Sequence, residues 1–265
     1  TSGRVETLMM GGRTLLVMPG PLTQRPRLGA RLMVGHHLGR AVWPLCNEVT
    51  TAWQEEPRRR ALTLLRTLLV VGEDAAHQHL HTLVPALVKA VQEPALRALA
   101  CDCAAVLACF VPAGLLLSHL LPRAADESAD VGSRCASLNL IAAVIRGSGA
   151  RGDADGALGG VLAVIEGSDA FLRAEGTAAR GAVAGVLRSM CAACGPGCVA
   201  ERARLTWIAL HLTSSLYTTS PDPISLPPSF SSSPSAPALT SHMSASTTSA
   251  ATLSPAQQQA AAEAE

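Results

Sequence analysis

Residues 80–110 read LHTLVPALVKAVQEPALRALACDCAAVLACF, and the spacing of their apolar positions decides the fold class. Leu80, Leu83, Val84, Leu87, Val88 and Val91 recur at steps of three and four, the period that lines one stripe of an α-helix. After Gln92-Glu93-Pro94 the same period resumes with Leu96, Leu99, Ala100, Cys103, Leu107 and Phe110. A proline just inside a helix start lacks only an N–H that has no partner there anyway. The stretch therefore predicts two helices joined by a tight turn, each with an apolar stripe that a single hairpin cannot bury.

Similar stripes extend in both directions. Ala61, Leu64, Leu65, Leu68 and Leu69 form one; Leu138, Ile141, Ala142 and Ile145 another; Leu158, Val161, Leu162 and Ile165 a third. Ala179, Ala182, Val183, Val186, Leu187, Met190 and Cys194 follow, and Leu205, Ile208, Ala209 and Leu212 close the series. Gly72, Gly147, Gly167 and Gly195 each follow a run, where a left-handed residue is expected to end a helix. No segment here alternates with period two, so the body is expected to be all-α. First helices starting near His37, His77, Ala113, Ala154 and Cys198 give a spacing of about 35–45 residues, the range of two-helix HEAT and armadillo units.

Composition supports helices. Of 265 residues, 48% are apolar but only 3% aromatic, a mixture of Ala, Leu and Val that suits close helix packing better than a β-sandwich. Residues 1–35 carry five Arg against Glu6, the middle 36–213 balances, and 214–265 carry only Asp222, Glu263 and Glu265. A neutral body argues against nucleic-acid binding, which wants a basic stripe. The opening 1–35, with Gly11-Gly12 and Pro19-Gly20-Pro21, is expected to be irregular. From Ser214 onward the chain is Ser, Thr, Pro and Ala, as in Pro227-Pro228-Ser229-Phe230, too poor in apolar surface to offset ordering entropy and expected to be a disordered tail. Thr1 to Arg13 lacks the basic start and continuous apolar run of a secretory leader, so none is expected, and the absent initiator Met suggests a fragment or a processed product. Most of the eight cysteines lie inside apolar runs, as small buried hydrophobes do. A reducing, cytoplasmic location is expected.

A local text recurs within the pairs. Glu55-Glu56-Pro57-Arg58-Arg59-Arg60-Ala61 precedes one second helix and Glu93-Pro94-Ala95-Leu96-Arg97-Ala98 the next, with a degraded version from Asp126 to Arg134. This resembles the HEAT repeat, whose turn carries an acidic residue and whose second helix opens with an Arg. The resemblance implies that Arg58 or Arg59, Arg97 and Arg134 are ladder residues between neighbouring units of a right-handed superhelix. Residues 58–147 go further. Gly72-Glu73-Asp74-Ala75-Ala76-His77-Gln78-His79-Leu80, Phe110-Val111-Pro112, Leu120-Leu121-Pro122 and Leu140 through Val144-Ile145-Arg146-Gly147 are similar, in order and spacing, to the C-terminal HEAT repeats of the dynein axonemal assembly factor five family. The likeness continues weakly to about Leu212. It implies a cytoplasmic, non-enzymatic scaffold that binds axonemal dynein heavy and intermediate chains alongside chaperone-type factors, supporting dynein arm assembly and cilium motility.

Sharper chemistry is weakly supported. Cys191-Ala192-Ala193-Cys194, with Cys198, sits at a helix end, the wrong pole for lowering a thiol pKa, and lacks a fourth zinc ligand. His77 and His81 share a helix face at i, i+4 but have no third ligand, and His36-His37 fare no better. Cys103 to Pro122 lacks charge over a membrane-spanning length, yet Pro112-Ala113-Gly114 breaks its centre. Gly147 to Asp153 reads as a flexible linker, without the Lys-Ser/Thr of a phosphate loop. The expectation is thus an α-solenoid over 36–213, between an irregular 1–35 and a disordered 214–265. It has no catalytic, metal or cofactor residues, no nucleic-acid or membrane partner, and protein partners. The alternatives are another HEAT adaptor, of the phosphatase-scaffold or transport-receptor type, or a Cys-dependent zinc or redox protein.

Overall fold

The computed structural model describes residues 6–10, 13–18, 26–149, 153–173, 176–193, 199 and 201–218. Two strands come first. β1 (Glu6–Met10) pairs antiparallel with β2 (Arg13–Met18), from Glu6 opposite Met18 to Met10 opposite Arg13, with an irregularity between Leu8 and Met9. The segment expected to be irregular thus contains a β-hairpin. Its signal in the sequence is Gly11-Gly12 between apolar runs, a pair suited to two-residue hairpin connections.

Helices follow as successive pairs. α1 (Leu28–Thr51) is joined by Ala52-Trp53-Gln54 to α2 (Glu55–Gly72). A 3₁₀ segment, Glu73–His79, leads into α3 (Leu80–Gln92), and α4 (Pro94–Phe110) returns. α5 (Ala113–Ala125) and α6 (Val131–Ser148) make the third pair. The first half of the fourth is divided into a 3₁₀ turn Asp155–Ala157, α7 (Leu158–Glu166) and the short α8 (Asp169–Arg173), before α9 (Thr177–Ala193). α10 (Arg202–Thr218) opens a fifth unit. α1 begins ahead of the expected His37, and α10 runs past Ser214.

Second helices α2, α4, α6 and α9 lie side by side, and first helices α1, α3, α5 and α7 form the adjacent row, with α10 beyond α7. This is the all-α HEAT solenoid architecture. Its core is one continuous cluster from Leu38 to Leu212, built of Leu, Val, Ala, Ile and Cys; Phe171 is the largest fully buried side chain among the described residues. Each buried Leu or Val withdraws apolar surface from water, a gain of roughly 1.5–3 kcal/mol, and stacking is what makes the burial complete. First helices α1, α3 and α5 contain Pro44, Pro85 and Pro122, each removing one N–H and crowding the carbonyl four residues earlier.

The glycines act differently from expectation. Gly72 is the last residue of α2 at φ −78°, and the positive φ falls on Glu73 (φ 48°). A Cβ at 72 would sit 3.0 Å from Leu38 Cδ2, a tight contact that the leucine would have to shift to relieve. Gly147 lies inside α6, where a Cβ would come 2.2 Å from the Ala105 carbonyl oxygen of α4. The expected linker from 147 therefore begins inside a helix. Gly167 ends α7 in a right-handed conformation (φ −76°), its N–H bonded to Ala163 O at 2.9 Å. Gly195 lies outside the described residues.

Leu64 is the one member of its stripe left 57% exposed. It is the tenth residue of α2; the tenth residues of α4, α6 and α9 are Cys103, Leu140 and Val186, all buried. Cys103 faces backward, its Sγ 3.7 Å from Leu62 O on α2. α2 has no earlier second helix beside it among the described residues, so its backward-facing Leu meets solvent.

The glycine contact yields a paired test by chemical denaturation. Gly147→Ala is expected to cost about 2 kcal/mol as α4 and α6 are forced apart. Gly181→Ala, in open space on α9, is expected to gain about 0.5–1 kcal/mol through helix propensity.

Candidate functional site

The repeat's distinctive side chain is the fourth residue of each second helix: Arg58 in α2, Arg97 in α4, Arg134 in α6 and Arg180 in α9. Three of them donate Nε to a carbonyl in the last turns of the preceding first helix. Arg58 reaches Val49 O at 2.8 Å, Arg97 reaches Val91 O at 3.1 Å, and Arg134 reaches Ala124 O at 3.0 Å. Carbonyls there have no helical N–H left to accept, and a cation suits the negative pole of the helix.

The outer guanidinium nitrogens then cross to the next hairpin. Arg58 pairs with Glu93 in the turn before α4. Arg134 donates to Ser168 Oγ at 2.8 Å and lies 4.8 Å from the Phe171 ring centre, a cation–π contact with α8. The ladder residue of the first motif is thus Arg58, not Arg59, which is exposed. Arg180 was not singled out in the sequence because its turn lacks the acidic-Pro text, and only its place in the helix marks it.

Other cross-hairpin ties escape sequence reasoning because they span about 40 positions. Arg31 Nη1 meets the buried Glu73 carboxylate at 2.6 Å. Asp153 Oδ2 accepts from Ala113 N at 3.2 Å, capping α5 from the following unit. Arg204 on α10 grips Glu166 at the end of α7, with Nη2 at 2.7 Å and Nε at 2.9 Å, while Nη1 takes Glu201 at 3.0 Å. The Arg204 bonds hold the Glu166 carboxyl below the ordinary range against partial burial, and the same bonds hold the guanidinium above its own.

His77 belongs to the 3₁₀ segment and His81 to α3; His77 Nδ1 lies 2.6 Å from Asp74 O. His36 and His37 meet edge to face on α1, their ring centres 4.7 Å apart. Cys191 is exposed in the last turn of α9, and Cys194 and Cys198 lie outside the described residues. Burial pushes the Cys46 thiol up to about 11 and that of Cys103 further still, which keeps both protonated and unreactive. Among the described residues, no cluster of three or more His, Cys, Asp and Glu side chains has metal-holding geometry. The uncharged stretch from Cys103 is split at Val111-Pro112 between α4 and α5, and among the described residues no helix is long and apolar enough to cross a membrane.

What this architecture offers a partner is surface. A groove of about 420 Å³ runs where α4, α6 and α9 meet, bordered by Arg97 and floored by Gly132, Ala136, Asn139 and Gly181. An apolar groove of about 500 Å³ lies on α10, lined by Leu205, Ala209 and Leu210 with Cys191 of α9.

In comparison with protein families, the model of the HEAT-repeat domain of dynein axonemal assembly factor 5 matches residues 18–215. No curated protein matches the chain.

Two outcomes follow for the ladder and its neighbour. Arg134→Ala is expected to cost about 3 kcal/mol in urea denaturation, because it strips a buried guanidinium from three partners. Arg59→Ala is expected to stay within about 0.5 kcal/mol of the parent. For Glu166, whose pKa is lowered on folding, the stabilisation is present above the ordinary carboxylate range and is lost as pH falls through the lowered value. Arg204→Gln should therefore destabilise the protein at neutral pH and flatten the acid limb of its melting temperature against pH.

Proposed function

The chain belongs to the HEAT-repeat family of dynein axonemal assembly factor 5, and from that premise we propose that it is a non-enzymatic scaffold for the preassembly of axonemal dynein arms. It acts on both outer and inner arms in the cytoplasm, before they are loaded into cilia, and so supports cilium motility. Its partners are dynein heavy and intermediate chains, met in company with chaperone-type assembly factors.

The observation that carries this reading is the extent of the family match, which covers every described helix from α1 through α10 except the last three residues of α10. The physical form agrees with it. The second helices leave exposed positions along the row, among them Arg59 on α2, Arg97 on α4, Arg146 on α6 and Arg188 on α9, and such a surface grips an extended chain at many weak points. Holding a folding intermediate asks for contact area and reversibility, and needs no reaction centre. Other HEAT adaptors, of phosphatase-scaffold or transport-receptor type, share the architecture, but the family assignment favours dynein.

Affinity purification of the protein from ciliated cells, scored by mass spectrometry, tests the proposal. Dynein heavy and intermediate chains are expected among the enriched proteins before cilia form. Their consistent absence, with phosphatase subunits or transport cargo in their place, would overturn it.

A further inference from the structure

The near-zero charge of the whole body conceals a segregation between its two rows of helices. The second helices α2, α4, α6 and α9 carry nine arginines against three carboxylates, Glu55, Glu56 and Asp102. The other helices, with the two 3₁₀ segments, carry seven basic and six acidic residues. Several of the remaining carboxylates sit in the connecting turns, among them Glu93, Asp126, Glu127 and Asp130.

Part of that excess is structural, since Arg58 and Arg134 are buried in the ladder. Arg59, Arg97, Arg146 and Arg188 are exposed and have no carboxylate partner among the described residues. Arg97 differs from its ladder counterparts: Nε is held by Val91 O, and its outer nitrogens make no bond to the next hairpin. Arg146 lies farther along the same α4–α6 seam, next to Gly147, which packs on Ala105 of α4. The Cys101 thiol, raised by burial, is pulled down by both Arg146 and Arg97. Cys101 Sγ also lies 3.9 Å from Asn139 O across the α4–α6 seam.

We infer that the exposed side of the second-helix row is a docking surface for an extended, acidic polypeptide segment, with the groove beside Arg97 as its anchor. A guanidinium fork matches a carboxylate with two parallel hydrogen bonds. At Gly181, where a Cβ would meet nothing within 4 Å, a peptide backbone can approach the groove closely, and the Asn139 amide adds a donor and an acceptor for it. A polypeptide is favoured over RNA because Phe110 is the only aromatic residue in these four helices, whereas single strands are held largely by stacking on aromatic side chains. This inference rests on the scaffold reading and adds to it the chemistry of the partner.

The test uses the full chain and a fluorescein-labelled peptide of alternating Glu and Ser, followed by anisotropy. The peptide is expected to bind, and to weaken as salt rises through the physiological range. Arg146→Glu combined with Arg188→Glu, both exposed and outside the ladder, should raise Kd by roughly tenfold or more. Arg123→Glu, an exposed change on first helix α5, should leave Kd within about twofold, and circular dichroism should be unchanged in both, as surface substitutions allow. No binding, an equal loss with Arg123→Glu, or tighter binding of a single-stranded RNA of matched charge would overturn the inference. If the peptide fails while dynein chains still co-purify, the docking chemistry falls and the scaffold stands. If the peptide binds and dynein chains are absent, the acidic-partner surface stands without the dynein role.

Discussion

A guanidinium set against the C-terminal carbonyls of a helix is the contact on which the rest of the molecule depends. Near the ends of first helices α1, α3 and α5 the carbonyls of Val49, Val91 and Ala124, all buried residues, lie beyond reach of a helical N–H. Arg58, Arg97 and Arg134 each donate Nε to one of these carbonyls, from the same place in the following helix. The bond fixes the angle at which the second helix leaves the turn. With that angle set, Leu62, Leu96 and Leu138 fall on the inner side of their helices and are fully buried. Where the outer nitrogens also cross to the next unit, as with Arg58 and Arg134, one side chain joins three helical segments.

Small residues complete what the arginines orient. α4 and α6 approach so closely that only a glycine fits opposite Ala105 O, and Cys109 Sγ lies 3.5 Å from the carbonyl of that same Gly147. α6 is buried on nearly every side, with Arg134, Ser137 and Ser148 among its buried polar residues. Their hydroxyls turn back onto their own helix, Ser137 to Ser133 O and Ser148 to Ile145 O. A core poor in aromatic rings can be dense when backbones come this near, since packing density and not side-chain size sets the dispersion gain. The scarcity of Phe and Tyr in the composition is the sequence-level trace of that geometry.

Helix content and pairing were legible because they rest on local signals: period, turn residues, and Pro at the start of α4. The ladder was legible as a pattern of Arg after an acidic turn, though choosing Arg58 over Arg59 needed the direction of each side chain. Features that depend on two distant segments were not legible. Gly147 reads as a helix terminator because it follows an apolar run; its actual constraint is the Ala105 carbonyl of the neighbouring helix. Arg204 with Glu166, and Asp153 with the α5 N-terminus, join residues that no local window contains. The charge segregation between helix rows was hidden by summing over the whole body, because a helix's row is known only once the pairs are assigned.

Every substantial helix contact lies within one hairpin or between consecutive hairpins, and this has a mechanical consequence. Without contacts that tie distant units together, a pull on the ends is carried in series by every seam in turn. Each seam need yield by only a fraction of an ångström for the whole row to lengthen elastically while its helices stay wound. A body so built behaves as a soft spring, able to follow a bulky cargo as that cargo changes shape.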